Sequence, residues 1–218
     1  MTLAMTRVPH PFPYQGSKRN LAPVIAQYLP DTISCFLEPF AGAAAVSLYL
    51  AAHRKADKYI ICDLNEPLIE LWKAIFDSSY ALSEKYQFLW QEQLNDEETY
   101  YDFIRNSFNQ EHKPEQFLYL LARCVKAAVR YNNQGYFNQS RDKRRLGMHP
   151  DRMRENLTSV ASLLYGRANF YSQDYRETLE MATIDDVIYM DPPYQGTSGN
   201  RDKRYIDGLV VAQDRMET

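Results

Sequence analysis

Over some 45 residues from Ser34 the chain alternates two short apolar stretches with two helical ones, an alternation that builds a parallel sheet with crossover helices. Ser34-Cys-Phe-Leu-Glu38 is an apolar run ending at Pro39, as a buried strand would be. Gly42 and a run of alanines open a helix that continues to about His53. Lys58-Tyr-Ile-Ile-Cys-Asp63 repeats the strand pattern. Asn65 can cap the helix that follows, with Pro67 in its first turn, where a missing N–H costs nothing.

The flanking segments extend this plan. Ser17 begins a helical pattern that places Leu21, Val24, Ile25, Tyr28 and Leu29 on one face, stopped by Pro30. From Leu68 to Tyr131 the periodicity is helical almost throughout, and Pro114 opens one helix carrying Phe117, Leu120, Leu121, Val125 and Ala128. Tyr131 to Gly147 reads as loop or hairpin. Pro150 starts a further helix with Met153, Leu157, Val160 and Leu164 at helical spacing. Strands resume at Ala168–Ser172 and Asp186–Met190, the second running into Asp191-Pro-Pro-Tyr194. The expected fold is an α/β core over 1–66 and 167–218, interrupted by a mostly helical insertion over 67–166.

Composition bounds the function class. With 24% charged and 45% hydrophobic residues the chain is that of a folded globular protein. No run of about 18 apolar residues is present, and Met1 to Pro13 lacks an apolar signal core, so neither a membrane span nor secretion is expected. Cys35, Cys62 and Cys124 have no CxxC pairing, and His10, His53, His112 and His149 show no ligand spacing, so no metal is expected. The expectation is a reduced, cytoplasmic protein. The net charge of −3 conceals an asymmetry. From Asp77 to Glu115 nine acidic residues face three basic ones; from Leu121 to Arg154 nine basic residues face two acidic ones. A local excess of +7 suits a phosphate backbone, although a solvated charged face would read the same way.

Three segments carry chemistry. Glu38-Pro-Phe-Ala-Gly42 lies at a strand's carboxyl end and leads into a helix, where a small residue lets the backbone approach a ligand. Asp63 ends the next strand, in position to accept both hydroxyls of a nucleoside ribose. Asp191-Pro-Pro-Tyr194 cannot continue a ladder and holds its backbone extended. It would present the Asp191 carboxylate and the Pro192 carbonyl to the two N–H bonds of an exocyclic amine, with the Tyr194 ring for a base to stack on.

In these segments and their order, the chain resembles the Dam-type DNA adenine-N6 methyltransferases in their α arrangement. The matching segments, in order, are Tyr14-Gln-Gly-Ser-Lys18, Glu38 to Gly42, Tyr59-Ile-Ile-Cys-Asp-Leu-Asn65, Arg130-Tyr-Asn-Asn-Gln-Gly-Tyr-Phe-Asn138, Phe170-Tyr-Ser-Gln-Asp-Tyr175 and Asp191 to Tyr194. The resemblance implies a Rossmann-like methyltransferase core with S-adenosylmethionine as cofactor and double-stranded DNA as partner, in DNA modification or restriction protection. It implies that Tyr14 and Lys18 contact the cofactor's methionine end and that Glu38, Pro39, Phe40 and Gly42 wall its pocket. Asp63 with Leu64 would hold the ribose side, and Asp174 with Tyr175 would lie by the adenine amine. Asp191, Pro192, Pro193 and Tyr194 would hold a flipped-out target adenine, Asp191 also bordering the cofactor. Arg130, Tyr131, Asn132, Gly135 and Asn138 would face DNA, with Tyr131 and Asn132 closest to the duplex. Arg141, Lys143, Arg144 and Arg145 would contact phosphates.

Two departures from that family pattern are visible. The loop reads Phe40-Ala-Gly-Ala-Ala, with alanine where the family often has a second glycine; a negative φ there would make the change small. The family fold also continues with three more strands, whereas 27 residues follow Asp191. A fragment, a truncated gene product or half of a split enzyme is therefore expected, with a complementary C-terminal polypeptide or a restriction endonuclease as further partner. Methyl transfer to cytosine N4 or to an RNA adenine, and a non-catalytic DNA-binding remnant, stay as alternative readings.

Overall fold

The computed structural model describes residues 8–192. Four parallel strands form its sheet in the order β3-β2-β1-β4: β1 Ile33–Glu38, β2 Ala56–Asp63, β3 Ala168–Ser172 and β4 Val187–Ile188. The register pairs Phe36 with Tyr59 and Glu38 with Ile61 across β1 and β2. Asp63 pairs with Ser172 across β2 and β3, and Leu37 with Ile188 across β1 and β4. Glu38 and Asp63 thus reach the same carboxyl edge, and the chain leaving β4 brings Asp191 there too. The strand order reverses direction between β1 and β4, which opens a crevice at that edge.

The helices are α1 Ala22–Ile25, α2 Ala45–Ala52, α3 Glu66–Glu92, α4 Glu97–Glu111, α5 Pro114–Arg123, α6 Pro150–Leu164 and α7 Tyr175–Glu180. α3 is interrupted at Ser78, whose φ of −161° and ψ of 78° are extended rather than helical. Its first half buries Leu68, Leu71, Trp72 and Ile75, with Trp72 stacked on Phe170 of β3 at 5.7 Å between ring centroids. α3 also packs against α5 and α6. α6 buries Met153, Leu157, Val160 and Leu164, the four positions its spacing singles out. Each such side chain contributes about 1.5–3 kcal/mol of burial. Among the described residues, no helix is long and apolar enough to cross a membrane.

Four sequence expectations need correction. The helix at Ser17 shortens to one turn, and its buried side is Ala22 and Ala26, while Leu21, Val24 and Tyr28 are exposed. α1 packs on α2, and close approach of two helices favours the small side chains. α2 begins at Ala45, not at Gly42, because Gly42 and Ala44 have φ of +51° and +46°. α5 ends at Arg123, and Val125 and Ala128 lie beyond it, separated by left-handed Lys126 and Ala127. Asn65 occupies the N-cap position of α3 without a side-chain cap bond; its Oδ1 accepts from the Tyr131 hydroxyl at 3.1 Å instead.

Candidate functional site

The crevice at the carboxyl edge holds a cavity of about 340 Å³, lined by loop 14–18, the β1–α2 turn, Asp63, and the β4 exit from Tyr189 to Pro192. Gly42 makes this geometry possible. Its φ is +51°, and a Cβ there would meet the Tyr14 ring at 2.9 Å. The same residue locks two elements together: its N–H donates to Asp63 Oδ2 at 2.9 Å, and its carbonyl accepts from Trp72 Nε1 at 3.0 Å. The Asn65 N–H donates to Asp63 Oδ1 at 3.0 Å. Both Asp63 oxygens are therefore oriented by backbone amides, on a residue only 2% exposed.

Glu38 is buried, and its Oε2 accepts from the Ser47 N–H at 3.1 Å and from Ser47 Oγ at 2.5 Å. Burial pushes its carboxyl up to about 7; the bonds from Ser47 oppose that rise, and the neighbouring Asp191 charge adds to it. Across the cavity, Lys18 Nζ forms an ion pair with Asp191 Oδ2. The side chains on the wall thus carry three carboxyl groups and one ammonium, set over a floor of Ala41, Gly42, Ala43 and Ala45. Small floor residues admit a ligand to the backbone, and the acid excess favours a ligand with cationic groups.

Tyr14, Lys18, Glu38, Phe40, Gly42, Asp63, Asp191 and Pro192 meet at this cavity, while Pro39, Leu64, Asp174 and Tyr175 are not on its wall. Tyr175 stands one ring behind it, 5.4 Å from Phe40 between centroids. Asp174 caps α7, accepting from the Arg176 N–H at 2.9 Å and pairing with Arg176 Nε at 2.8 Å. Those bonds to Arg176 hold its carboxyl below the usual range. Gln15, Gly16, Ser17 and Tyr189 line the cavity without having been singled out by sequence. Three of them sit inside the Tyr14–Lys18 segment, and Tyr189 directly precedes the Asp-Pro-Pro-Tyr run, where its N–H donates to Leu37 O at 2.9 Å. The condition of a negative φ, under which alanine would replace glycine at little cost, is not met at Ala44, a fully buried residue at φ +46°. Pro193 and Tyr194 lie outside the described residues.

The basic segment forms a second feature. Arg130 and Asn138 are exposed at a narrow hairpin closed by a bond from Asn138 N–H to Arg130 O at 3.0 Å. Asn132 Oδ1 accepts from the N–H groups of Gln134 and Tyr136, both at 2.9 Å, and Gly135 takes φ +79° at the turn. Tyr131 departs from expectation. It is 4% exposed, and its hydroxyl is bonded to Asn65, so it anchors the hairpin rather than facing outward. Arg123 is also fully buried, donating to Asp142 O and paired with Glu97, so it adds nothing to a surface charge. Arg141 pairs with Glu98 at 2.9 Å. Arg144 and Arg145 gather on Asp142, whose carboxyl they hold below the usual range, and both keep most of their side chains in solvent. Lys143 is exposed beside them. Among the described residues, no group of three His, Cys, Asp or Glu side chains could hold a metal ion.

Comparison with known proteins places this geometry in context. A family model described as D12 class N6 adenine-specific DNA methyltransferase matches residues 14–211. A DNA adenine methylase of Serratia marcescens is 30% identical over 185 residues, covering 83% of this chain and 65% of that protein. The retron Ec67 DNA adenine methylase of Escherichia coli is 31% identical over 190 residues, 84% of this chain and 63% of its own length. A DNA N-6-adenine-methyltransferase of Escherichia phage P1 is 29% identical over 189 residues, 84% of this chain and 24% of its own. The chain spans just under two thirds of the first two relatives.

Proposed function

The chain belongs to the D12 class N6 adenine-specific DNA methyltransferases, and from that premise we propose that it methylates adenine N6 in duplex DNA with S-adenosylmethionine as donor. The observation that carries the reading is the meeting of Lys18 and Asp191 over a cavity walled by Glu38, Gly42 and Asp63. The residues fit such a cofactor. Lys18 suits its carboxylate, the acid-rich wall suits its cationic centres, Asp63 suits a ribose diol, and the small floor admits close approach. When bound, the cofactor supplies an electrophilic methyl group.

The chain's own residues do the rest. A stacked adenine cannot present N6 to the cavity, so the base is flipped out at a cost of a few kcal/mol. The Asp191 carboxylate and the Pro192 carbonyl accept the two N–H bonds of the amine and aim its lone pair outward. The N6 proton released on methylation passes to Asp191 or to water. Tyr194, by residue type, offers a ring for the base to stack on. Catalysis is then mainly positioning and electrostatic preorganisation.

We assign 67–166 as the recognition insertion, with Arg130, Asn132, Gly135 and Asn138 on its hairpin facing DNA. Lys143, Arg144 and Arg145 contact phosphates, Arg141 bracing them through Glu98. A complementary C-terminal polypeptide would add strands at the outer edge of β4, which has no ladder partner among the described residues. The reaction belongs in the cytoplasm, where the cofactor and duplex DNA meet. Asp191→Ala separates chemistry from binding. Duplex affinity in a mobility-shift titration should stay within about twofold, while methyl incorporation falls at least a hundredfold, on the scale of losing one preorganised polar group. Equal loss of both would remove Asp191 from the role assigned to it.

A further inference from the structure

Nine basic residues lie between Leu121 and Arg154, and the fold engages six of them internally. Arg123, Arg141, Arg144 and Arg145 meet Glu97, Glu98 and Asp142 as described, Arg152 pairs with Glu155, and Arg154 bonds to Ser83 and Gln87. Lys126, Arg130 and Lys143 are exposed and have no ion pair among the described residues. Of these three, Lys126 and Arg130 lie outside the Arg141–Arg145 run.

Lys126 is distinguished further by its backbone. Lys126 and Ala127 have φ of +60° and +50°, two consecutive non-glycine residues in the left-handed region. That conformation costs about 1–2 kcal/mol per residue and persists only where the surroundings impose it. Here the Val125 N–H donates to Ser140 O at 2.9 Å, Gln139 Nε2 donates to Val125 O at 3.1 Å, and the Ala127 N–H returns to Cys124 O at 3.2 Å. The turn delivers the Ala127 carbonyl to the Gln15 N–H at 3.0 Å, and Gln15 is part of the cavity wall. One strained turn thus joins the insertion to the cavity mouth and holds an exposed lysine at the junction.

We propose that Lys126 is a phosphate contact for the DNA strand whose base enters the cavity, held in place by the left-handed turn it belongs to. The inference rests on the function proposed above and locates the strand relative to the cavity. A flipped nucleotide brings its flanking phosphates to the mouth with it. A cation on an imposed backbone conformation loses less freedom on binding them than one on a loose loop. Such a contact positions the strand and carries no sequence information.

Salt dependence of binding tests it, with the full chain and a mixed-sequence duplex followed by fluorescence anisotropy between roughly 50 and 200 mM NaCl. Each phosphate contact adds about 0.9 to the slope of log K against log salt. Lys126→Gln should lower the slope by about 0.9, and Lys126→Arg should restore it. Lys58→Gln makes the same charge change at the amino end of β2, away from the cavity, and should leave the slope unchanged. A Lys126→Gln slope equal to that of the parent chain would overturn the proposal, as would an equal effect from Lys58→Gln, which would mark a general charge effect. A parent chain that does not bind duplex at all would overturn the methyltransferase reading along with it.

Discussion

Glu38 shows how one side chain reports on the whole cavity. It ends a central strand, so its carboxyl is removed from water, and Ser47 and the Val46 backbone donate to it. Its folded pKa of about 7 stands above the ordinary value of 4.5. A raised folded pKa means that the native state holds a proton the unfolded chain has already released. The stabilising contribution is full below about pH 4.5 and is lost as pH rises through 7. The interval corresponds to about 3 kcal/mol. Glu38→Gln has no such proton to lose. Urea unfolding of parent and variant at pH 5 and pH 8 should show the variant gaining on the parent by up to about 3 kcal/mol at the higher pH. A difference that does not vary with pH would mean that Glu38 is not held protonated by burial.

At the scale of elements, the turn between β1 and α2 determines what the cavity can admit. Gly42 combines a left-handed φ with the Tyr14 ring lying where a Cβ would stand. Gly42→Ala should destabilise the fold by about 1–2 kcal/mol, lowering Tm by roughly 3–6 °C. An unchanged Tm would show that the turn and Tyr14 yield without cost. Ala44 takes a similar conformation at φ +46° while fully buried. Sequence left the sign of this φ open, since alanine stands where the family often has a second glycine. The strands themselves were legible: short apolar runs bounded by Pro and followed by acidic residues brought Glu38 and Asp63 to one edge. Less legible was which face a short helix buries, since periodicity marks a stripe and not its partner. Leu21 and Val24 form the apolar stripe on α1, yet close packing against α2 selected Ala22 and Ala26.

For the whole molecule, the informative contacts are those between distant parts of the chain. Lys18 and Asp191 are 173 residues apart in sequence and form one ion pair. Tyr131 and Asn65 are separated by 66 and fasten the hairpin to the β2 exit. Motif order shows that such segments belong to one site but leaves their pairing open. Tyr131 therefore looked like a surface residue and proved to be an anchor. Asp174, named by its motif, is engaged by Arg176 at the start of α7, a local pairing that motif order does not show. What these long-range contacts assemble is an acid-walled cavity at the carboxyl edge of the sheet, which on the proposed reading receives the methyl donor. The most direct test is transfer of labelled methyl from S-adenosylmethionine to mixed-sequence duplex DNA, followed by hydrolysis and identification of the labelled base. The expected result is label in N6-methyladenine alone. Label in N4-methylcytosine, or none in a chain that binds both duplex and cofactor, would contradict adenine-N6 methylation by this site.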